Sequence, residues 1–427
     1  MLVRCARSLQ GIRVVLLTLL VWALLVSSVT AAEKSRLQFA MWISSSTEVA
    51  DQLALLDRYM AMNPDVEIEL IYQGWAGYHD KLLTMAAGGI APDVMVLSRL
   101  HVPSFAEAGI IRPLDEWYDQ EPESLRSDVM EVISGTYKGK FYGIPIWGGP
   151  TVIEYNADLF EQAGLIQPYE LAKQKTWTWD LFVEYGRKIT RDTNGDSYRD
   201  IFMHAKLGTR AADWYIKVRG HGADILTPDG GAYTDVNKLE RGLQFYADIA
   251  WEHRIAPVGS ETSNFTHGTE AMYFTWISDV PNHIKGVSNA FRVELTTPPA
   301  GPAGLFTLVG GCPIAVSSTT PHAYEAYKFA KWYAMESGHW QLRGIPPSMD
   351  DMRREYRSYL GAMVSWPDAV VESMTGAISM EPGVGEHFNE FNSAWNPILS
   401  EVAKGNIAPR EGAIRLIEVT QRILSGN

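Results

Sequence analysis

The chain has 427 residues, with 37 basic and 50 acidic side chains and a formal net charge of −13. This acidic balance argues against nucleic acids and anionic membrane surfaces as partners, because binding phosphates requires a basic surface. Only Cys312 lies outside the N-terminal leader described next, so no intrachain disulfide is expected after processing, and stability must come from a packed core. The length is sufficient for two lobes with separate cores.

Residues 1–31 have the composition of an export signal. Three arginines precede an apolar run over residues 14–26, and small residues follow it up to Ala31, after which we expect cleavage. A retained membrane anchor is the alternative, but the run is shorter than the roughly 20 residues of a spanning helix. Cys5 precedes the apolar run, whereas a bacterial lipoprotein would carry its cysteine after it. The leader therefore predicts a periplasmic protein with a cleaved signal peptide.

The first segments after the leader alternate between strand and helix patterns. An apolar run at 37–43 predicts a strand, and the hydroxyl residues at 44–47 offer caps for the helix that follows. Strands at 66–71 and 92–97 flank a helix at 78–87. The first helix has an apolar stripe formed by Val49, Leu53, Leu56 and Tyr59. This alternation predicts an α/β fold with parallel strands.

Later helices show the same one-sided pattern. Thr178 is placed to cap a helix with Phe182, Tyr185 and Ile189 on one face. Two more amphipathic helices are predicted at 239–249 and 413–423, and an aromatic-rich helix at 321–335. The Pro- and Gly-rich stretch at 298–304 reads as a surface loop. The chain therefore continues as α/β throughout, without an internal repeat or a charge block.

Residues 139–156, GKFYGIPIWGGPTVIEYN, predict two short apolar strands separated by a break at Trp147-Gly148-Gly149-Pro150. Glycines at such a break allow the backbone to turn and to approach a ligand closely. A helix is expected to begin just after the second strand, at Tyr155–Phe160. We interpret this segment as a hinge crossing between two lobes.

A series of short motifs occurs in a fixed order along the chain. These motifs are Met41-Trp42, GGIAPDV at 88–94, FAEAG at 105–109 with Pro-Leu-Asp at 113–115, GKFYGIP at 139–145, YNADLF at 155–160, TWDLF at 178–182, FTHGTEAM at 265–272, Gly310-Gly311 and GIPP at 344–347. Each motif alone is weak evidence, but the ordered series covers nearly the whole processed chain. The series resembles the extracellular solute-binding proteins, family 1, of bacterial sugar-importing ABC transporters, which include the maltose-binding proteins.

The resemblance implies a two-lobed periplasmic-binding-protein fold of type II, with the ligand in a cleft between lobes. The N-terminal lobe would comprise residues 32–148 plus 296–335, and the C-terminal lobe residues 149–295 plus 336–427. The three hinge crossings would lie near Gly148, Leu295 and Met335. In open α/β sheets, ligands bind where strand ends and helix starts converge, which agrees with such a cleft.

By the same resemblance, the protein would be the substrate-binding component of an ABC importer, which captures a mono- or oligosaccharide and delivers it to the permease subunits. We expect a monomer that needs no cofactor and no metal and that is not an enzyme. One alternative is a binding protein for a polyol or a glycerol-phosphate-type ligand, anchored by Arg99 or Arg343. A secreted glycoside hydrolase is the other alternative. It would need two carboxylates roughly 5–10 Å apart, such as Glu381 with Glu386 or Asp115 with Glu116.

A saccharide has apolar ring faces and hydroxyl edges, so its site needs aromatic platforms and fixed hydrogen-bond partners. Trp75 lies in a loop between glycines and Trp147 at the hinge break, and we expect both to face the ligand. Further candidates, implied by the resemblance, are Trp42, Ser44, Ser45, Ser98, Arg99, Trp276, Asp279, Gly310, Gly311 and Arg343. Trp214 and Trp395 align more loosely with the family's site regions, and core packing is the alternative for both.

The loop at 192–200, DTNGDSYRD, has oxygen ligands at alternate positions, as a calcium loop does. The sixth position holds Ser197 where a glycine is expected, and the twelfth holds Met203 where a glutamate is expected. We therefore interpret the loop as a turn between a helix and a strand, with calcium binding as the alternative.

Overall fold

The computed structural model describes residues 34–43, 45–127, 129, 133–227, 231–343, 352–375, 377–378 and 387–426. The leader and its cleavage point, Ser44, the pair Glu381 and Glu386, and the motif at 344–347 lie outside the described residues.

Most strands form one mixed sheet. The strands are β1 (Ser35–Trp42), β2 (Val66–Gln73), β3 (Val94–Val96), β4 (Thr136–Tyr137), β5 (Lys140–Phe141), β6 (Gly143–Asn156), β7 (Phe202–His204), β8 (Glu270–Trp276), β9 (Val293–Thr296), β10 (Thr307–Val316) and β11 (Ala377–Ile378). Their order is β2-β1-β3-β10-β6-β8-β7, with β9 added to β6 and β11 to β10, while β4 and β5 form a separate hairpin. The pairs β1–β2, β1–β3 and β7–β8 are parallel, whereas β10 is antiparallel to both β3 and β6.

Helices cover the faces of this sheet. They are α1 (Ser46–Met62), α2 (Tyr78–Ala87), α3 (Val102–Glu107), α4 (Asp115–Tyr118), α5 (Glu123–Arg126), α6 (Ala157–Gln162), α7 (Pro168–Lys173), α8 (Trp179–Ile189), α9 (Ala211–Gly220), α10 (Val236–Trp251), α11 (Val280–Val287), α12 (Ala323–Met335), α13 (Trp340–Arg343), α14 (Arg357–Gly361), α15 (Ala369–Thr375), α16 (Phe388–Ala403) and α17 (Pro409–Leu424). Short 3₁₀ turns at Arg99–His101 and Ile277–Asp279 precede α3 and α11.

The long strand β6 corrects the prediction of two strands separated by a break. It runs without interruption from Gly143 to Asn156, through the Trp-Gly-Gly-Pro segment. The strand stays continuous because β10 pairs with it there, aligning Gly311 with Gly148 and Gly310 with Gly149. A φ of 141° at Gly149 lets the strand bend without losing this pairing.

Two hydrophobic cores lie at opposite ends of the sheet. The first, which we call the N-terminal core, includes Phe39, Phe105, Ile314 and Phe329. The second, the C-terminal core, includes Phe182, Leu243 and Leu416. Side chains of β6, β7, β8 and β10 and of α16 and α17 also contribute to it. Because β6 and β10 contribute to both ends, they connect the two lobes. The exact lobe boundaries given above remain a prediction.

Local signals in the sequence explain most helix starts. Ser45 caps α1 by accepting the Glu48 N–H at 3.2 Å, and Thr178 caps α8 by accepting the Leu181 N–H at 3.3 Å. The stripe predicted for α1 is shifted, however. Leu53 is exposed, and Gln52 is buried in its place, where it accepts a hydrogen bond from the Tyr333 hydroxyl. The apolar pattern of the sequence could not show that the buried face of α1 carries a polar side chain that hydrogen-bonds to α12.

Candidate functional site

Three of the predicted tryptophans are joined through Trp42, with Trp75 following β2 and Trp147 lying within β6. Trp42 ends β1, and its ring contacts those of Trp75, Tyr78 and Trp147 edge to face at centroid distances of 5.0, 5.4 and 5.3 Å. We call Trp42, Trp75, Tyr78, His79 and Trp147 the aromatic cluster. Such edge-to-face pairs use the complementary charge distribution of the rings and hold them in fixed orientations.

Exposure separates the members of the aromatic cluster. Trp42 and Trp147 are only 8% and 5% exposed, whereas Trp75 is 51% exposed. Trp147 therefore packs in the N-terminal core, which the prediction of a ligand-facing ring at the hinge break did not anticipate. About half of Trp75 is therefore open to solvent, while its ring also contacts those of Trp42 and His79.

His79 connects the aromatic cluster to the loop after β3. Its Nε2 accepts the backbone N–H of Ser98 at 3.0 Å, so the neutral ring carries its hydrogen on Nδ1. The ring stacks on His101 at 3.7 Å with an angle of 4°. Burial, together with the neighbouring His101, lowers the pKa of His79 to about 2. The imidazole is therefore neutral and acts as a fixed acceptor that positions Ser98. The sequence analysis missed it, although it directly follows the Trp75 loop.

Aromatic contacts also join the two ends of the molecule at this point. His101 meets Phe388 at the start of α16 at 5.3 Å, and Phe388 packs against the C-terminal core. Trp147 in turn contacts His339 at 5.2 Å, just beyond α12. Phe388 therefore brings the C-terminal core into contact with His101, the residue on which the His79 ring stacks.

Trp276 provides an aromatic face from the C-terminal lobe. It ends β8, is 37% exposed, and pairs with Thr151 of β6 just beyond the glycine crossing. A Cβ added to Gly310 would lie 3.1 Å from this indole ring. A glycine at this position therefore leaves space for the ring to lie against the backbone of β10, so Trp276, Gly310 and Gly311 belong to one local arrangement.

Several predicted polar residues are engaged with the protein itself. Arg99 donates from Nε to the Ser134 carbonyl at 3.0 Å, and the N–H of Ser98 is used by His79. Asp279 precedes α11 and is exposed; its charge contributes to raising the pKa of the buried Glu154. Ser45 is the cap of α1, and the side chain of Arg343 lies outside the described residues.

Trp214 and Trp395 lie in the C-terminal core. Trp214 is 2% exposed, and the two rings contact each other at 6.4 Å. Trp395 also stacks on Phe391 and donates its indole N–H to Thr420. Both pack as core residues, away from the exposed face of Trp276. We therefore correct the sequence-based assignment and leave both out of the candidate site.

A set of ionisable side chains is buried around β6 and β8. Desolvation raises the pKa of Glu154 to about 7 and that of Glu270 to about 8, and it lowers the pKa of Lys217 to about 7. His283 pairs with Glu154, while Lys217 lies over the Phe274 ring at 4.3 Å. The sequence analysis did not identify these residues, because no local pattern marks which charges a sheet will bury.

The loop at 192–200 forms a closed turn, as predicted. Asp192 accepts the N–H groups of Asn194, Gly195 and Ser197, and Asp200 accepts that of Thr193. These backbone hydrogen bonds lower the pKa of Asp192. Over the described ranges, no group of three or more His, Cys, Asp or Glu side chains is placed to hold a metal ion.

The family model described as bacterial extracellular solute-binding protein matches residues 54–355. The chain therefore belongs to this family, which confirms the resemblance drawn from the ordered motifs. Within the part of the chain that the structure describes, no helix is long and apolar enough to span a bilayer.

Named relatives share moderate identity with the chain. It is 25% identical over 313 residues to a lipoprotein of the oleD 5′ region in Streptomyces antibioticus, covering 69% of this chain and 65% of that protein. It is 28% identical over 268 residues to a lactose-binding protein of Rhizobium radiobacter, covering 60% and 57%. The matches therefore span less than two thirds of the length of these relatives.

The fold matches a solved structure over almost its full length. An ABC substrate-binding protein from Listeria monocytogenes in complex with cycloalternan superposes with a TM-score of 0.79 at 19% identity, covering 92% of this chain and 99% of the other. This match confirms the predicted two-lobed α/β architecture.

Proposed function

We propose that the protein is the substrate-binding component of an ABC importer, and that it captures a carbohydrate in the cleft between its lobes. The observation that carries the proposal is the pair of exposed indole faces: Trp75, which contacts Trp42 at the end of β1, and Trp276, which lies against Gly310 of β10. Flat aromatic faces suit the apolar faces of sugar rings.

The relatives support a carbohydrate ligand. The family is one of solute-binding proteins, one relative is named for lactose binding, and a structural neighbour was solved with cycloalternan. In this proposal the lobes close around the sugar by a hinge motion, and the closed form delivers it to the permease subunits. The chain acts as a monomer, binds no nucleic acid, and reaches the periplasm after cleavage behind Ala31.

The proposal also takes the protein to be a binding protein without catalytic activity. Of the described carboxylates named for a hydrolase, Asp115 accepts the N–H of Phe141 in β5 at 3.2 Å. Its neighbour Glu116 extends into solvent, near Arg112. Asp115 is thus used in local structure, and Glu116 lies at the surface.

A thermal-shift screen of the processed protein tests this function. The panel contains maltotriose, lactose, tagatose, glycerol and glycerol 3-phosphate. A ligand that binds only the native state raises the melting temperature according to RT ln(1 + [L]/Kd). We expect a saccharide to give the largest rise and to be recovered unchanged after incubation. The proposal fails if no saccharide shifts melting, and turnover of the sugar to smaller products would indicate a hydrolase.

A further inference from the structure

An aromatic side chain reaches from the C-terminal core to the N-terminal lobe. Phe388 begins α16 and is a partly buried residue that packs against the C-terminal core. Its ring meets that of His101 edge to face, with a centroid distance of 5.3 Å and an angle of 72°. His101 lies in the 3₁₀ turn after β3, next to Val102 of the N-terminal core. The contact therefore joins elements that pack in different cores.

This contact lies at the edge of the sheet where a ligand is expected. Because β1, β2 and β3 are parallel, their carboxyl ends meet at one edge, and ligands of open α/β sheets bind outside that edge. Trp42 ends β1, Trp75 follows β2, and His101 follows β3. The rings of Phe388 and His101 therefore meet beside the proposed cleft.

Ring contacts connect His101 to the exposed indole of Trp75. The His101 ring stacks on His79 at 3.7 Å, and His79 in turn meets Trp75 edge to face at 5.2 Å. His79 and His101 are only 5% and 6% exposed. Phe388 therefore helps to cover a buried histidine pair that supports the N-terminal side of the cleft.

The contact depends on how the two lobes are placed. β6 and β10 contribute to both cores, and in a hinge motion each lobe moves as a body while the crossing absorbs the change. Phe388 moves with the C-terminal core and His101 with the N-terminal lobe, so opening the cleft separates their rings. An aromatic pair of this geometry contributes about two- to tenfold to an equilibrium constant.

We propose that Phe388 and His101 form a closure contact: the two rings meet when the lobes close, and they raise ligand affinity without touching the ligand. This inference rests on the proposed function and deepens it, because it assigns part of the affinity to a contact between the lobes themselves. The apparent dissociation constant depends on the fraction of protein in the binding-competent form. The closure contact therefore strengthens the binding of different saccharides by the same factor and slows their release.

Calorimetric titration of maltotriose and lactose into Phe388→Ala tests the effect on affinity. We expect both sugars to bind about three- to tenfold more weakly, by equal factors, and to be released faster by a similar factor in stopped-flow fluorescence. In the His101→Ala background, Phe388→Ala should have no further effect on affinity, because the contact has already been lost.

Phe245→Ala is the matched control for packing. Phe245 is a partly buried phenylalanine of the same core, and its ring meets those of Trp179 and His221. This variant should lower the melting temperature and leave the affinity unchanged. Phe388→Leu keeps an apolar side chain against the C-terminal core but removes the ring edge, so it should melt close to the wild type while its affinity still falls at least about twofold.

Single-molecule energy transfer measures closure without any ligand. Labels are attached to Asp57→Cys in α1 and Glu418→Cys in α17, two exposed positions on different lobes, in a Cys312→Ser background. We expect the ratio of closed to open molecules to fall by about two- to tenfold in Phe388→Ala.

Three results would overturn the closure contact. These are unequal factors for the two sugars, a full additional loss when Phe388→Ala is added to His101→Ala, and an unchanged ratio of closed to open molecules in Phe388→Ala. If neither sugar binds to the wild type, the proposed function itself fails, whereas the ligand-free ratio still tests the contact.

Discussion

The two sides of the candidate cleft are built on different principles. On the N-terminal side, Trp42 packs against both Trp75 and Trp147, and the adjacent His79 is held neutral. On the C-terminal side, one indole, Trp276, lies against the glycine backbone of β10, in a part of the sheet that buries the carboxyl groups of Glu154 and Glu270. In the proposed function each side supplies one exposed indole face, so the comparison teaches that a sugar would contact both faces only when the lobes close.

The largest expected effect is on the free energy of unfolding, and it distinguishes the buried Trp147 from the exposed Trp276. Trp147→Ala should lower the free energy of unfolding by about 3–5 kcal/mol, since its buried ring packs in the N-terminal core. Trp276→Ala should lower it by less than about 1 kcal/mol, because that ring is substantially exposed. Urea unfolding without ligand measures both. Equal losses for the two variants would show that the two lobes do not differ as described.

The buried carboxyl groups on the C-terminal side predict a loss of stability as the pH rises, opposite in sign to the gain expected from the buried, neutral His79 on the N-terminal side. Below its ordinary pKa of 4.5, Glu270 is protonated in both the folded and unfolded states. Between 4.5 and about 8 the unfolded chain loses this proton while the folded protein keeps it, so stability falls as the pH rises. Glu270→Gln should reduce the difference in unfolding free energy between pH 5 and pH 8 by more than about 1 kcal/mol.

Glu154 has a raised pKa as well, so part of the pH dependence should remain in Glu270→Gln. Glu261→Gln is a suitable control, because Glu261 lies on the neighbouring surface loop. A pH profile of Glu270→Gln that coincides with that of the wild type would mean that the carboxyl group is not held protonated.

Loss of either exposed indole should mainly affect ligand affinity. Trp75→Ala and Trp276→Ala should each weaken saccharide binding by about 1–3 kcal/mol, as truncated aromatic anchors do. Calorimetric titration gives the affinity, and thermal melting without ligand gives the stability. Normal affinity together with a large loss of stability in Trp75→Ala would assign this residue to the core.

The sequence predicted the fold well and the site only in part. The ordered motifs and the capping residue Thr178 are local signals, and the strand and helix patterns follow from burial of one face. The exposure of Trp75 could be predicted, because it lies in a loop between glycines without apolar periodicity. Trp214 could not be distinguished from a site residue, since its burial depends on α16, far along the chain. Glu154 and Glu270 carried no signal either, because their burial depends on how the sheet packs.

The smallest expected effect concerns Gly310, the backbone position against which the Trp276 ring lies. In Gly310→Ala the added methyl group would lie 3.1 Å from the indole ring, so the ring must shift by a few tenths of an ångström. We expect the saccharide affinity of Gly310→Ala to fall a few-fold, by about 0.5–1 kcal/mol. In the double variant Gly310→Ala/Trp276→Ala, the added methyl group should not lower the affinity below that of Trp276→Ala. Gly286→Ala is the control, because its methyl would make an ordinary contact at 3.6 Å with Thr266. A full additional loss in the double variant would show that Gly310 acts independently of Trp276.

The central claim is that a saccharide binds between one indole face of each lobe. Calorimetric titration of maltotriose and lactose into the wild type, Trp75→Ala, Trp276→Ala and the double variant tests it most directly. We predict saccharide binding to the wild type, weaker binding to each single variant and no measurable binding to the double variant, while all four proteins melt cooperatively without ligand. Wild-type affinity retained in the folded double variant would contradict the claim.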